Sequence, residues 1–238
     1  MFSPSWIPLV DKILKWKGFF SGCYYFLAHM RYADKKLAAT FAKYTPISIE
    51  DLRDGAFDLD WFKSCYKQLG KERFAILYDA AKYISEGNAH TRARKYADAT
   101  NGLFSADEVK AQIIEKRNKD LLMAYGLIPL SKSGKITKTA QKEILKRYIF
   151  IQQFHKESKK IWLNKEQSSE NLACKIALNN LAKKCSFFQY FPFYFKYGNT
   201  INQKSANNIL SLKSLENISI YLQVDEYGKT SIICQKTK

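Results

Sequence analysis

Between residues 47 and 130 the chain is punctuated by helix starts and helix stops at short, regular intervals. A cap residue followed by apolar positions three and four apart and then by glycine can form only an amphipathic helix of two to four turns. Ser48 and Asp51 have capping-box spacing, and Gly55 supplies a left-handed stop. Asp58 caps a helix through Leu59, Phe62, Tyr66 and Leu69 that stops at Gly70. A further helix runs from Lys71 to Glu86 with Phe74, Leu77, Tyr78, Ala81 and Ile84 on one face and Gly87 as terminator. Another covers His90 to Thr100 and stops at Asn101-Gly102. Ser105 and Glu108 form the clearest capping box, before Val109, Ile113, Ile114, Leu121, Leu122 and Tyr125, with Gly126 and Pro129 beyond. This spacing makes one helix of that stretch, with the block Glu115 to Asp120 as its exposed mid-helix face.

The same pattern continues to about residue 184. Thr137 or Thr139 can cap a long helix through Ile144, Leu145, Tyr148, Ile151 and Phe154 to about Leu163, and Ser168 or Ser169 opens another through Leu172, Ile176 and Leu181. Upstream, the uncharged stretch Gly18 to Met30 is too short to span a bilayer, which takes roughly 17 to 25 residues, and reads as a buried helix. Connections of a few residues favour antiparallel neighbours. The expected fold is therefore mainly α, a multi-helix bundle or irregular helical array over residues 1–184. Residues 185–215 are aromatic and Asn-rich and read as irregular. Residues 216–238 then alternate as a small C-terminal β-hairpin, with Ile218, Ile220, Leu222 and Val224 on one face and a turn at Asp225 to Gly228. A two-stranded hairpin is marginal alone, so it needs more chain to cover it.

Charge narrows the partners. The formal net charge is +17, from 39 Lys+Arg against 22 Asp+Glu. Residues 47–130 carry 13 of each sign, whereas 131–184 carry 13 basic and 4 acidic side chains. A lysine-studded helix pair can neutralise phosphates and gain from counterion release, and Tyr148, Phe150, Phe154 and Trp162 offer rings to bases. Lys142, Lys146, Arg147, Lys156, Lys159 and Lys160 are the candidate nucleic-acid contacts. Against this, 32 of the 39 cations are Lys and only seven are Arg, the residue that reads base edges and grips phosphate with two bonds.

Motifs for chemistry are absent. There is no phosphate-binding glycine loop, no zinc helix, no Cys-x-x-Cys and no nucleophile elbow. Three scattered histidines suggest no metal site, and no cofactor is expected. The five cysteines form no disulfide framework, which fits a reducing cytoplasm, and they read as buried thiols. MFSPSWIPLV lacks the basic start of a signal peptide, so no membrane partner is expected. The densest cluster of functional residue types is 87–102. There Asn88 and His90 stand at a helix start and Arg92 and Lys95 are three apart, a geometry that could receive phosphate or carboxylate. Of the nucleophile candidates, Cys65 and His90 are the ones whose replacement would test an enzyme.

The long string AKYTPISIEDLRDGAFDLDWFKSCYKQLGKERFAILYDAAKYISEGNAHTRARKYADA, followed by EKRNKDLLMAYGLIPL, resembles a segment of MolR-like large bacterial proteins. These carry the domain of unknown function 4132 and sometimes a WGR domain. The resemblance covers about residues 6 to 184 and resumes at the hairpin ISIYLQVDEYGKTSIICQKTK, after which the family chain continues. It lapses between about Cys185 and Leu215. It implies a fragment or truncated relative of a larger cytoplasmic protein, partnered by another protein or by the rest of that chain, and brings no catalytic residues. The function expected is a non-enzymatic helical interaction or scaffold module, with a nucleic-acid-binding module as the alternative.

Overall fold

Most helix boundaries are decided locally, by a side chain that accepts the first free N–H groups or a residue that takes the left-handed conformation. In the computed structural model, residues 4–84, 87–130, 137–160 and 164–185 are described in full and 218–224 and 230–236 by their backbone. The helices in order are α1 (Ile7–Leu14), α2 (Phe19–Ala28), α3 (Ala38–Phe41), α4 (Ile49–Asp54), α5 (Leu59–Ala80), α6 (Thr91–Thr100), α7 (Ala106–Lys116), α8 (Lys119–Tyr125), α9 (Lys138–Ser158) and α10 (Asn164–Lys184). The fold is mainly helical, as the periodicity requires. Among the described residues no helix is long and apolar enough to cross a membrane.

The caps fall where expected. Ser48 Oγ accepts from Asp51 N at 3.1 Å and donates to the Asp51 carboxylate at 2.8 Å, and Gly55 ends α4 at φ 116°. Asp58 accepts from the backbone N–H groups of Asp60 and Trp61, and Thr137 accepts from Ala140 N. Within α5 the helix breaks at Gly70, whose φ of 75° and ψ of 168° are open to glycine and strained for other residues.

Three boundaries are corrected. The helix expected to run unbroken from Ser105 to Tyr125 is two, α7 and α8. Arg117 takes a left-handed conformation at φ 46°, and Asn118 starts α8 by accepting from Leu121 N at 3.1 Å. In the Glu115 to Asp120 block only Glu115 and Lys116 keep to an exposed helix face, paired with each other at 4.0 Å. Asp120 is buried and pairs with Arg31, Lys119 reaches Glu166 at 3.1 Å, and Arg117 grips the buried Glu170 with two bonds of 2.8 and 2.6 Å. Tertiary partners 47 to 89 residues away in sequence have taken side chains that the spacing assigned to local ion pairs. The last helix begins at Asn164 rather than at Ser168 or Ser169, and α9 ends at Ser158 rather than near Leu163, which lies outside the described residues.

Packing divides into two linked groups. In the first, α2 is buried almost all round and packs on α5, α4 and α6. Tyr25, fully buried, stands within 6.3 Å, ring to ring, of Phe26, His29, Phe57, Trp61, Phe62 and Phe74. In the second, α8 lies against α7 and α10, and α9 covers α10. Gly126 makes the α8–α10 approach workable. A Cβ there would stand 2.4 Å from Ala177 O, so the glycine is required by space and not by its φ of ordinary sign. Between the groups, α6 touches both α2 and α8.

Buried polar side chains tie helix ends together. Arg92, 2% exposed, donates from Nε to His29 O at 3.1 Å, from Nη1 to Arg53 O at 2.7 Å, and from Nη2 to Leu52 O at 2.8 Å and to Met30 O. Arg53 O and His29 O stand at the ends of α4 and α2, where intrahelical bonding leaves carbonyls free, Met30 follows the α2 cap, and Leu52 O accepts from Gly55 N at 3.1 Å as well. Arg147, also 2% exposed, repeats the arrangement on α8, donating to Ile128 O at 2.7 Å and to Tyr125 O at 3.4 Å while Glu143 holds its Nε. Asn180 donates to Met123 O at 3.0 Å.

Past Cys185 a separate unit covers Gln189–Lys238. The irregular segment expected at 185–215 lies, beyond Cys185, outside the described residues, as does the turn expected at Asp225 to Gly228.

Two expectations can be measured. Arg92→Met removes four donors at once and leaves buried carbonyls unpaired, so urea unfolding should show a loss of about 3 kcal/mol or more. Arg53→Ala, which removes an incompletely buried side chain and keeps the carbonyl, should cost under about 1 kcal/mol. The second concerns His29, fully buried, whose Nδ1–H donates to Tyr25 O at 2.9 Å. Burial pushes its imidazole down from 6.5 to about 4, against the pull of the Tyr25 carbonyl and with help from Arg92. The unfolded chain therefore binds the proton more readily. The stability contributed by neutral His29 is present above pH 6.5 and is lost as pH falls from there towards 4, by about 1 to 2 kcal/mol at pH 5. His29→Phe should flatten that part of the stability profile.

Candidate functional site

The α6 start was the first candidate, and the structure takes its four residues apart. His90 stands at the N-cap position without a capping bond, and Thr91 Oγ1 bonds Asn88 O at 2.7 Å. Asn88 is exposed and Lys95 half-buried. Burial pushes the Lys95 ammonium down, with Asp120 pulling it up and Arg31 down. Arg92 is corrected as an anion ligand, since its guanidinium is buried on four backbone carbonyls. The sequence pattern could not reveal this, because a three-residue spacing says which residues are neighbours on a helix and not which side faces the core.

Beside Arg92 lies an open cavity of about 540 Å³ lined in part by Arg31, Arg53, Arg117, Lys119, Asp54 and Asp120. Its charges are largely spent on one another. Arg31 pairs with Asp120, Arg117 with Glu170 and Lys119 with Glu166. Glu170 is held by Ser158 Oγ as well, and its carboxyl stays below the usual range because the Arg117 and Ser158 bonds outweigh the opposing effect of burial. The cavity marks where α2, α4, α8 and α10 are joined.

Nucleophile chemistry fares no better. Cys65 is fully buried and burial pushes its thiol up to about 12, against a bond from Ser21. Cys174 is raised to about 12 and Cys23 higher still, again by burial first. A thiol must ionise to attack, so these read as packed side chains. Among the described residues no three His, Cys, Asp or Glu side chains are placed to hold a metal.

The basic candidate on α9 keeps its lysines and loses its arginine and its rings. Arg147 is buried under α8 and removed from the set. Tyr148, Phe150 and Phe154 are buried too, at 3, 7 and 3% exposure, so they present no surface to bases, and Trp162 lies outside the described residues. Lys142, Lys146, Lys156, Lys159 and Lys160 are all exposed. Lys142, Lys146 and Lys156, with exposed Gln153 between, fall on one stripe of α9, four, seven and three residues apart. At 1.5 Å per residue the stripe is about 21 Å long, while Lys159 sits about 100° round the helix from Lys142. The spacing was readable in the sequence, but the outward side became clear only with Ile144, Ile151 and Phe154 seated in the core.

Comparison with curated proteins and with solved structures finds no match. A match to the sequence profile of one family covers residues 1–187. That span coincides with the first of the chain's two compact units, Met1–Phe188, which carries every helix described above. The match thus takes in the whole helical unit, and the chain belongs to the family of unknown function DUF5724.

Proposed function

We propose that the chain is a helical interaction or scaffold module of a larger cytoplasmic bacterial protein and performs no catalysis of its own. One observation carries the reading: the residue types suited to chemistry are engaged in joining helices. Arg92 and Arg147 cap helix ends, Asp120 and Glu170 hold Arg31 and Arg117, and three of the cysteines are buried with raised thiols. The resemblance to MolR-like proteins enters as part of this proposal, and it supplies the larger chain. In the same reading the segments Ile218–Val224 and Thr230–Lys236 would pair as the expected hairpin, Ile218 opposite Lys236 and Val224 opposite Thr230. Co-expression with the polypeptide encoded directly downstream, followed by size exclusion with light scattering, tests it. A stable complex is expected. A chain that stays alone and turns over a substrate, losing activity on Cys65→Ala or His90→Ala, would overturn it.

The α9 stripe favours a second reading, nucleic-acid binding through the phosphate backbone. Aligned lysines without an arginine or a stacking ring suit sequence-independent contact. Fluorescence anisotropy with labelled duplex DNA and RNA at about 50 mM salt should detect binding that weakens steeply as salt rises. Lys142→Glu, Lys146→Glu and Lys156→Glu together should lower the log–log salt slope by about 3. Undetectable binding at that salt rules the reading out.

A further inference from the structure

α1 carries apolar side chains on two sides, and only one side meets the protein. Ile7 is buried and Leu14 half-buried, on the side by which α1 packs on α2. Trp6, Leu9 and Ile13 are three and four residues apart and share an arc of about 60° on the other side. They are 58, 52 and 80% exposed. A single exposed apolar residue is ordinary, whereas three in one row on a helix of eight residues make a patch.

The charges beside the patch are positive. Lys12 stands about 60° round the helix from Leu9, and Lys15 and Lys17 follow at the helix end. All three are exposed, and among the described residues none of them is in an ion pair. The one acid of α1, Asp11, lies about 40° round the helix from Ile7, on the side that meets the protein, where its charge acts on the buried Cys23 thiol of α2. The outward side of α1 therefore presents apolar side chains and cations with no carboxylate among them.

Size and charge together select the occupant. A stable protein interface takes roughly 800 Å² from each partner, about 20 to 30 residues a side, and three side chains on a helix about 12 Å long fall far short of that. The phosphate backbone of a nucleic acid offers the apolar row nothing. A bilayer surface asks for less: side chains that reach the boundary between headgroups and acyl chains, where Trp is favoured, and cations beside them. We propose that α1 lies on an anionic phospholipid surface, with Trp6, Leu9 and Ile13 entering at headgroup level and Lys12, Lys15 and Lys17 against the headgroup phosphates. An apolar insertion this small binds only marginally and reversibly without a second, electrostatic signal, which the three lysines and the net charge of +17 supply. The missing signal peptide, on which the expectation of no membrane partner rested, does not bear on a helix that lies on the surface. This contact is separate from the lysine stripe of α9 and does not depend on the scaffold reading.

Co-sedimentation of the full chain with vesicles tests it, phosphatidylcholine alone against phosphatidylcholine with about 30% phosphatidylglycerol, at about 100 mM salt. The anionic vesicles should take up the chain at least about tenfold more strongly than the neutral ones. Leu9→Gln with Ile13→Gln, both at exposed positions and without change of charge, should lower the partition to anionic vesicles at least about tenfold with an unchanged far-UV spectrum. No uptake by the anionic vesicles would overturn the proposal. So would uptake unchanged in the double variant, which marks adsorption by charge alone, or a wild-type dimer in light scattering that dissociates in the double variant, which gives the row to a second copy of the chain.

Discussion

One guanidinium holds the ends of two helices. α2 and α4 end close to each other, His29 O and Arg53 O among the carbonyls there that intrahelical bonding leaves free, and each helix end carries up to about half a negative charge. Arg92 places one positive charge and four donated hydrogen bonds there, deep in the protein. A buried cation without such partners would be costly, and buried carbonyls without donors would be costly as well. Their meeting removes both penalties. It also holds α6, which carries Arg92 and packs on both α2 and α8, and so is one of the ties between the two helical groups, beside the α5–α10 contact and the Arg31–Asp120 pair.

The same division of labour runs through the cations. Six of the seven arginines make tertiary contacts: Arg31, Arg92, Arg117 and Arg147 through hydrogen bonds, and Arg73 and Arg94 over the rings of Trp16 and Tyr78. A rigid fork with five donors can satisfy several acceptors at once, and its weaker hydration lowers the cost of burial. The lysines of α9 stay outside, where a strongly hydrated ammonium belongs. The scarcity of arginine in a chain of net charge +17 therefore acquires a structural meaning: arginine joins helices here, and lysine sets the surface field.

Helix existence and most boundaries were legible because they depend on neighbours in sequence. Ser48, Asp58, Ser105 and Thr137 each cap the helix that follows, and Gly55 and Gly70 each stop or break one. The candidate site was much less legible. Arg92 and Arg147 look like surface cations until the carbonyls they serve are assembled, and those of Arg92 lie 39 to 63 residues away. The break at Arg117 was hidden for a related reason. Its left-handed backbone and its double bond to Glu170 form together, and Glu170 lies 53 residues on.

The chain by itself determined that it would be helical, where most helices start, and that its positive excess would gather past residue 131. Caps, periodicity and charge counts are short-range or additive properties, and folding does not alter them. Only the tertiary structure decided which charged groups are buried, that Gly126 is needed for a close approach to α10, and that Lys142, Lys146 and Lys156 point away from the core as one row. Each of these depends on which helix lies opposite. That choice is made by the summed burial of many side chains, and no local pattern records it.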